Sequence, residues 1–243
     1  MSHPPVIDLN ADVGERPGAD GIAADAAILA GVSSANVACG FHAGDAETML
    51  AVCAEAVRLH KRIGAHVSYL DREGFGRREV DVDPLMLSGQ LIQQIEALQA
   101  VAASVGGEVG YVKPHGALYN RAAVDPLRAA VIADAITTVG DGLKLVGPPG
   151  SEILRGAVAR GIEGVPEGFA DRAYLPDGTL VPREQPDAVL SSPDAVVMHA
   201  QELAQTHRFR TICLHSDTPG TAALAVAVRN RLIGAGFEIR PFA

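Results

Sequence analysis

The sequence predicts an α/β fold in which parallel strands and helices close into a β/α (TIM-like) barrel. Apolar strand patterns alternate with helical patterns seven times along the 243 residues. Polar and charged residues recur where the strands end. All strands of a barrel end at one shared mouth, whereas an open sheet gathers only the strand ends beside a switch point, so a barrel explains this distribution better.

The composition favours one soluble globular domain spanning residues 1–243. Hydrophobic residues make up 48% of the chain and charged residues 20%, and no linker interrupts the pattern. A net charge of −9 and the lack of a basic run argue against nucleic-acid or anionic-membrane partners. Without an apolar span of about 18 residues or a signal peptide, a cytoplasmic protein is expected. Cys39, Cys53 and Cys213 are expected to be buried structural thiols.

The first predicted strand, Val6 to Asp12, carries a polar stripe. Its alternation places Asp8, Asn10 and Asp12 on one face, and Glu15 follows the strand. Burying polar and charged side chains inside a barrel costs free energy unless they form hydrogen bonds or ion pairs with one another or bind a ligand. This strand therefore predicts either part of a site or, alternatively, a solvated edge.

The second strand, Ser34 to Cys39, leads into two glycines, His42 and Asp45 before a helix begins. Glycines let the backbone approach a ligand closely, and a helix N-terminus presents N–H groups to anions. Asp45 could also cap the helix while facing the pocket. The alternative is an ordinary helix start with a hydrogen-bonded histidine.

The later predicted strands also end in polar or charged residues. Strand 63–69 carries His66 and precedes a charged loop, 70–78, that suits either an anionic substrate or a solvated connection. The other predicted strands with polar ends are 110–116 with Lys113 and His115, 164–172 with Asp171 and Arg172, and 209–217 with His215. Strands at 143–146 and 237–242 and helices near 23–30, 45–58, 84–105, 126–138, 151–160, 193–205 and after 218 complete the pattern.

Two chemistries fit these residues. The first is a divalent metal ion that activates water, with candidate ligands Asp8, Asp12, His42, His66 and His115. In the second, Lys113 stabilises developing negative charge on a small carboxylated substrate while a histidine or Asp12 moves protons. The residues alone leave both open.

Several long segments resemble the LamB/YcsF family. They cover residues 8–15, 34–45, 64–66, 112–120 and 169–174, in order along nearly the whole chain. The resemblance implies a distorted seven-stranded β/α barrel similar to the glycoside hydrolase/deacetylase superfamily. It also implies ATP-dependent opening of 5-oxoproline to L-glutamate, carried out with the B and C subunits of 5-oxoprolinase.

The cofactor implied by the resemblance is ATP, with Mg²⁺. The chain has no G-x-x-x-x-G-K-[ST] pattern, so a non-standard site near Lys113 or the partner subunits would have to bind the nucleotide. A tightly bound divalent metal and a homo-oligomer are further possibilities. Phosphorylating the lactam oxygen would create a good leaving group before water attacks the carbonyl carbon.

The strand-end pattern and the resemblance together predict the site residues. The expected catalytic groups are Asp12, His42, Lys113 and His115. The expected substrate contacts are Asn10, Glu15, Asp45, His66, Tyr119, Asp171, Arg172 and His215.

Two features depart from the family pattern. The chain reads His215-Ser216-Asp217 where the family usually has His-Gly-Asp, and the segment near 205–210 looks shorter than usual. Two alternative functions stay open. The Asp and His residues at the strand ends and the related barrel fold suggest a metal-dependent deacetylase or amidohydrolase. The missing nucleotide motif and the altered region at His215 suggest a non-catalytic substrate-binding component of a lactam-utilising complex.

Overall fold

Seven parallel strands form a closed barrel in the computed structural model, which describes residues 4–183, 185–190, 192–215 and 220–242. The barrel strands are β1 (Val6–Val13), β2 (Ser34–Ala38), β3 (Arg62–Val67), β4 (Val109–Pro114), β5 (Lys144–Gly147), β6 (Gly164–Phe169) and β7 (Thr211–Leu214). A short β8 (Glu238–Ile239) pairs with the first residues of β1.

Closure of the barrel depends on β1, which pairs in parallel with both β2 and β7. Ala11 lies opposite Ala35 on one side and Leu214 on the other. The strands between follow chain order around the ring. The prediction of a seven-stranded β/α barrel is therefore confirmed.

Eight helices in the described residues surround the barrel. They are α1 (Gly18–Gly31), α2 (Ala46–Arg58), α3 (Pro84–Ser104), α4 (Gly116–Val124), α5 (Pro126–Val139), α6 (Glu152–Val158), α7 (Pro193–Gln205) and α8 (Thr221–Gly234). Asp83, Asp125 and Ser192 each cap a helix whose first residue is proline. Within the described residues, no helix is both long and apolar enough to cross a membrane.

The apolar core lies between the barrel and its helices, while the barrel interior is polar. Along β1, Leu9 and Ala11 are fully buried in the core cluster. Asn10 and Asp12 alternate with them and form hydrogen bonds across the barrel. The period of two seen in the sequence thus separates a packing face from an interior face.

Several boundaries differ from prediction. Helix α1 begins at Gly18, five residues before the predicted start, β6 ends at Phe169, and the terminal strand covers only two residues. Helix α4 was not predicted. Its first turn is fixed by the Ala117 N–H, which donates to the Gly76 carbonyl oxygen at 2.9 Å in a remote loop, so no local pattern marked it.

Candidate active site

The lowest polar layer of the barrel, here called the floor, consists of Asp8, Ser33, Ser34 and Thr211. Ser33 and Ser34 hydroxyls donate to Asp8 Oδ1 at 2.7 and 2.6 Å, and the Thr211 hydroxyl donates to Oδ2. Burial raises the pKa of Asp8 to about 6 despite these donors. Asp8 is thus held by hydroxyls and does not belong to the group of possible metal ligands that includes the predicted histidines.

A second layer, here called the middle layer, is organised by Lys113. Its Nζ lies 2.9 Å from Glu167 Oε1, 3.2 Å from Asp12 Oδ1, 3.3 Å from Asn10 Oδ1 and 3.0 Å from Cys213 Sγ. All five residues belong to strands β1, β4, β6 and β7. One ammonium group therefore links opposite sides of the barrel.

Two further side chains complete the middle layer, Asn36 and Tyr111. The Asn36 amide donates to Asn10 Oδ1 at 2.6 Å and to Asp12 Oδ1 at 2.8 Å. The Tyr111 hydroxyl donates to Asn36 Oδ1 at 2.7 Å. These bonds fix the orientation of both β1 side chains.

The charges in the middle layer stabilise one another. Burial alone would neutralise Lys113, but the nearby acidic groups, Asp12 first, hold its pKa well above the usual value. Burial likewise disfavours the Asp12 carboxylate, yet His66 and Lys113 hold its pKa well below normal. Because Lys113 is only 2% exposed, its ammonium counters charges within the barrel. Its predicted catalytic role stays a prediction.

The barrel mouth holds a second group, the histidine cluster, formed by Glu15, His42, His66 and His115. His115 Nδ1 lies 3.0 Å from His66 Nε2, and His42 Nε2 lies 3.4 Å from Glu15 Oε1. The His42 and His115 rings stack with centroids 4.0 Å apart and planes 8° apart. Burial lowers the pKa of His42 and of His115 well below normal, so both rings are neutral at neutral pH.

The loop after β3 packs directly on the histidine cluster. Phe75 meets the edges of the His42 and His115 rings at centroid distances of 5.6 and 5.4 Å. Gly76 has φ +65°, and a Cβ there would lie 2.8 Å from His115 Cδ2. Arg72 donates to the carbonyl oxygens of the β2–α2 turn, so the loop covers the cluster and is not a simple solvated connection.

A histidine–carboxylate pair lies on the opposite side of the mouth. His215 Nδ1 lies 2.9 Å from Oδ1 of fully buried Asp171. Burial would lower the pKa of His215, but the Asp171 carboxylate outweighs it and the pKa is raised. The His215 ring stacks on Phe169 at 5.2 Å. Ser216 and Asp217, expected to shape this strand end, lie outside the described residues.

Two predicted substrate contacts form structural hydrogen bonds, and a third is buried; their roles in substrate binding stay predictions. Asp45 is exposed and caps α2, accepting from the Thr48 N–H and hydroxyl at 2.8 Å. Arg172 donates to the carbonyl oxygens of Val181 and Ala188 and so fastens the loop after β6. Tyr119 is buried on α4.

Sequence reasoning missed four members of the middle layer: Asn36, Tyr111, Glu167 and Cys213. A signal existed for two of them. Glu167 lies an even number of residues before Asp171, and Cys213 lies an even number before His215, so each pair shares one face of an extended chain. The three cysteines are free and buried, as predicted.

Two groups of side chains could hold a metal ion on grounds of proximity. Glu15, His42, His66 and His115 place one ligand atom each within 4.8 Å of one another, as do Asp12, Cys213 and His215. The second group is less suited, because the Asp12 carboxylate binds Lys113 and burial holds the pKa of the Cys213 thiol well above normal.

The chain is similar to known proteins over nearly its full length. It is 48% identical over 250 residues to the 5-oxoprolinase A subunit of Streptomyces griseus, covering 98% of this chain and all of the relative. It is 47% identical over 248 residues to the corresponding protein of Mycobacterium avium, which bears the same name, covering 97% and 98% of the two chains.

Solved structures also match the barrel. A lactam utilization protein from Thermus thermophilus superposes with a TM-score of 0.90 at 36% identity, covering 98% of this chain and 100% of that one. A family 4 carbohydrate esterase from Streptomyces lividans reaches 0.53 at 14% identity, covering 100% and 95%, and shares the fold alone. Residues 7–243 match the sequence profile named LamB/YcsF, and the chain belongs to the LamB/YcsF family.

Proposed function

We propose that this chain is the A subunit of a 5-oxoprolinase and supplies the site at which the lactam ring of 5-oxo-L-proline opens to give L-glutamate. The pairing of His215 with Asp171 at the barrel mouth carries the proposal on the structural side. Full-length similarity to relatives with that name supports the substrate class.

Opening a lactam requires a water molecule to add to the carbonyl carbon and a proton to reach the ring nitrogen as it leaves. Asp171 binds His215 Nδ1 and raises the pKa of the imidazole, which favours a form that can donate a proton from Nε2. His215 therefore acts as the general acid for the ring nitrogen. Asp171 positions the ring through Nδ1.

The middle layer keeps a fixed negative charge next to this pair. One carboxylate oxygen of Asp12 lies in a group with Cys213 Sγ and a ring nitrogen of His215, all within 4.8 Å of one another. Lys113 holds Asp12 ionised. Asp12 therefore accepts a hydrogen bond from the attacking water and orients it, at a position between His215 and the histidine cluster, since its Oδ1 lies 3.3 Å from His66 Nε2.

ATP enters the proposed reaction by activating the amide. Transfer of the γ-phosphoryl group to the lactam oxygen turns a poor leaving group into a good one, and ADP is released. Because the sequence carries no P-loop, the B and C partner proteins are assigned the nucleotide and its Mg²⁺. A first water then adds to the activated carbon and gives up a proton to solvent, and the C–N bond breaks as the ring nitrogen takes a proton from His215. The resulting γ-glutamyl phosphate is hydrolysed by a second water to glutamate and phosphate.

Co-expression with the B and C subunits from the same genome tests the function. The purified complex is expected to release glutamate from 5-oxo-L-proline only when MgATP is present, with ADP formed in step. The matched control is the same complex with His215→Gln. Glutamate release without ATP, or none from a complex that hydrolyses ATP, would overturn the proposal.

A further inference from the structure

The histidine cluster gathers four possible metal ligands from four separate strand ends. Glu15 follows β1, His42 follows β2, His66 lies on β3 and His115 follows β4. One ligand atom from each lies within 4.8 Å of the others, and the three histidines are buried. Proximity alone does not make a metal site, but the hydrogen bonds around the rings add a stronger constraint.

Backbone carbonyl groups determine where the protons lie on two of these rings. His66 Nδ1 is 3.1 Å from the Lys113 carbonyl oxygen, and His115 Nε2 is 2.9 Å from the Phe75 carbonyl oxygen. A carbonyl oxygen only accepts, so both nitrogens must carry a hydrogen. In neutral rings the lone pairs are then on His66 Nε2 and His115 Nδ1, which face each other at 3.0 Å. Two lone pairs at that distance need a cation between them.

The cation is either a proton or a metal ion. A proton shared by the two rings would make His66 cationic, with Asp12 Oδ1 at 3.3 Å as its counter-charge. That arrangement gives the ring nitrogens of His42 no bonding partner. His42 is 1% exposed, and its ring nitrogens form no hydrogen bond with any described residue. A buried polar group without a hydrogen bond lowers the stability of the fold by about 1–3 kcal/mol. A shared proton therefore does not account for the burial of His42.

A metal ion accounts for all four side chains. Zinc bonded at about 2.0–2.1 Å in a tetrahedron places its ligand atoms about 3.3 Å apart. The measured separations are 3.0 Å for His66–His115, 3.4 Å for His42–Glu15 and 3.9 Å for His115–Glu15. Histidine ligands also usually donate their second N–H to a carbonyl or carboxylate group, as His66 and His115 do here.

The ring orientations show which ligands are already in place. His66 is nearly perpendicular to His115, at 87°, so one ion can lie close to both ring planes. His42 is parallel to His115 and stacked on it, and an ion cannot lie in both of those planes. Since His42 has no hydrogen bond to a described residue, its ring can turn about its side-chain bonds. Glu15, His66 and His115 are thus preformed, and His42 closes the site.

We propose that Glu15, His42, His66 and His115 bind one divalent zinc-like ion at the barrel mouth, with His42 rotating out of its stack to complete a tetrahedral site. Neither Asp8 nor Asp12 is a ligand, since one is held by hydroxyls and the other by Lys113. Binding of the ion is independent of whether the chain opens a lactam, and its test is independent of turnover.

The experiment uses the purified full chain after removal of metal with a chelator. Co²⁺ is titrated while visible absorption is recorded, and Zn²⁺ binding is measured by calorimetry. We expect one ion per chain and the intense visible bands of tetrahedral Co²⁺. His42→Ala and Glu15→Gln should each lower the affinity by more than about 10–100-fold, the loss typical of a second-shell partner. His60→Ala removes an exposed histidine and is the matched control.

A folding control separates ligand loss from a damaged barrel. Circular dichroism and melting of the metal-free variants must match the metal-free wild type, and Zn²⁺ should raise the melting temperature of wild type and His60→Ala only. Weak octahedral Co²⁺ spectra, no binding by the wild type, or unchanged affinity in folded His42→Ala and Glu15→Gln would each overturn the site. If the wild-type chain binds the metal ion but its complex with the partner subunits releases no glutamate, only the proposed function is contradicted.

Discussion

The floor and the mouth of the barrel contain the same kinds of polar side chain but use them differently. On the floor, both Asp8 carboxylate oxygens accept hydrogen bonds from serine and threonine hydroxyls. At the mouth, His215 is tied through Nδ1, and His42 has no hydrogen bond to a described residue. Saturated bonding marks a structural layer, whereas unused bonding capacity at the barrel mouth marks a layer that can act on a ligand.

The middle layer is where this distinction is hardest to draw. Lys113 is as buried as the floor, yet it touches Asp12, which faces the mouth. The following experiments place each layer on the structural or the functional side, beginning with the largest expected effect.

Lys113→Met should lower the free energy of unfolding by about 3–5 kcal/mol, because it leaves the Asp12 and Glu167 carboxylates buried without their counter-charge. Urea unfolding measures the change. Lys144→Met is the matched control, since Lys144 pairs with Glu163 at 2.9 Å near the surface and should cost less than about 1 kcal/mol. Wild-type stability with lost turnover would move Lys113 from the structural to the functional side.

His215→Gln should reduce kcat of the complex by about 10²–10⁴-fold, the usual contribution of a general acid, while stability changes little. Steady-state glutamate release and thermal melting give the two readouts. His60→Gln is the control, because His60 is exposed in the turn between α2 and β3, at the end of the barrel away from the mouth. If both variants lose the same activity, the mouth assignment of His215 is wrong.

Asp8→Asn should change how stability depends on pH. The folded pKa of Asp8 is about 6 against a reference of 3.8, so its protonated form favours folding below about pH 4 and this contribution is lost as pH rises through 6. The difference is about 3 kcal/mol at about 1.4 kcal/mol per pKa unit. Glu167 is the nearby charge that adds to the shift.

Unfolding of wild type and Asp8→Asn is compared at pH 4 and pH 7. The wild type should lose stability relative to Asp8→Asn over this interval, whereas exposed Asp194→Asn should follow the wild type. Parallel curves for Asp8→Asn and wild type would show that the floor carboxylate is ionised throughout.

Tyr111→Phe should cost about 1 kcal/mol, because it removes one hydrogen bond to Asn36 and leaves the ring in place. Tyr69→Phe is the matched control, since the buried Tyr69 hydroxyl has no hydrogen-bond partner among the described residues and should cost less. A fall in turnover with unchanged stability would extend the functional layer down to Tyr111.

The sequence was sufficient for the architecture because local periodicity encodes it. Alternation along β1 gave the inward face, and capping residues before proline marked α3 and α5. Helix α4 was not predicted, because its first turn depends on a hydrogen bond to Gly76, 41 residues earlier in the chain. Tertiary contacts of that kind leave no local pattern.

Site residues were predicted by type more reliably than by layer. His42, His66, His115 and His215 do reach the mouth, but Asp8 and Asp12 are separated into different layers. The layer depends on the stagger between strands, which places Asp8 opposite Thr211 and Asp12 opposite Asn36. Asp45 shows a second limit, because an aspartate before a helix has the same sequence signature whether it caps or binds.

Barrel closure through β1 and β7 has a consequence for synthesis on the ribosome. Asp8 and its partner Thr211 are 203 residues apart, so at about 5–20 residues per second the first strand waits roughly 10–40 s for its neighbour. During that interval one edge of β1, with its buried carboxylates, is unpaired. The nascent chain is therefore vulnerable to aggregation and chaperone capture until β7, which begins about one eighth of the chain before its end, has emerged.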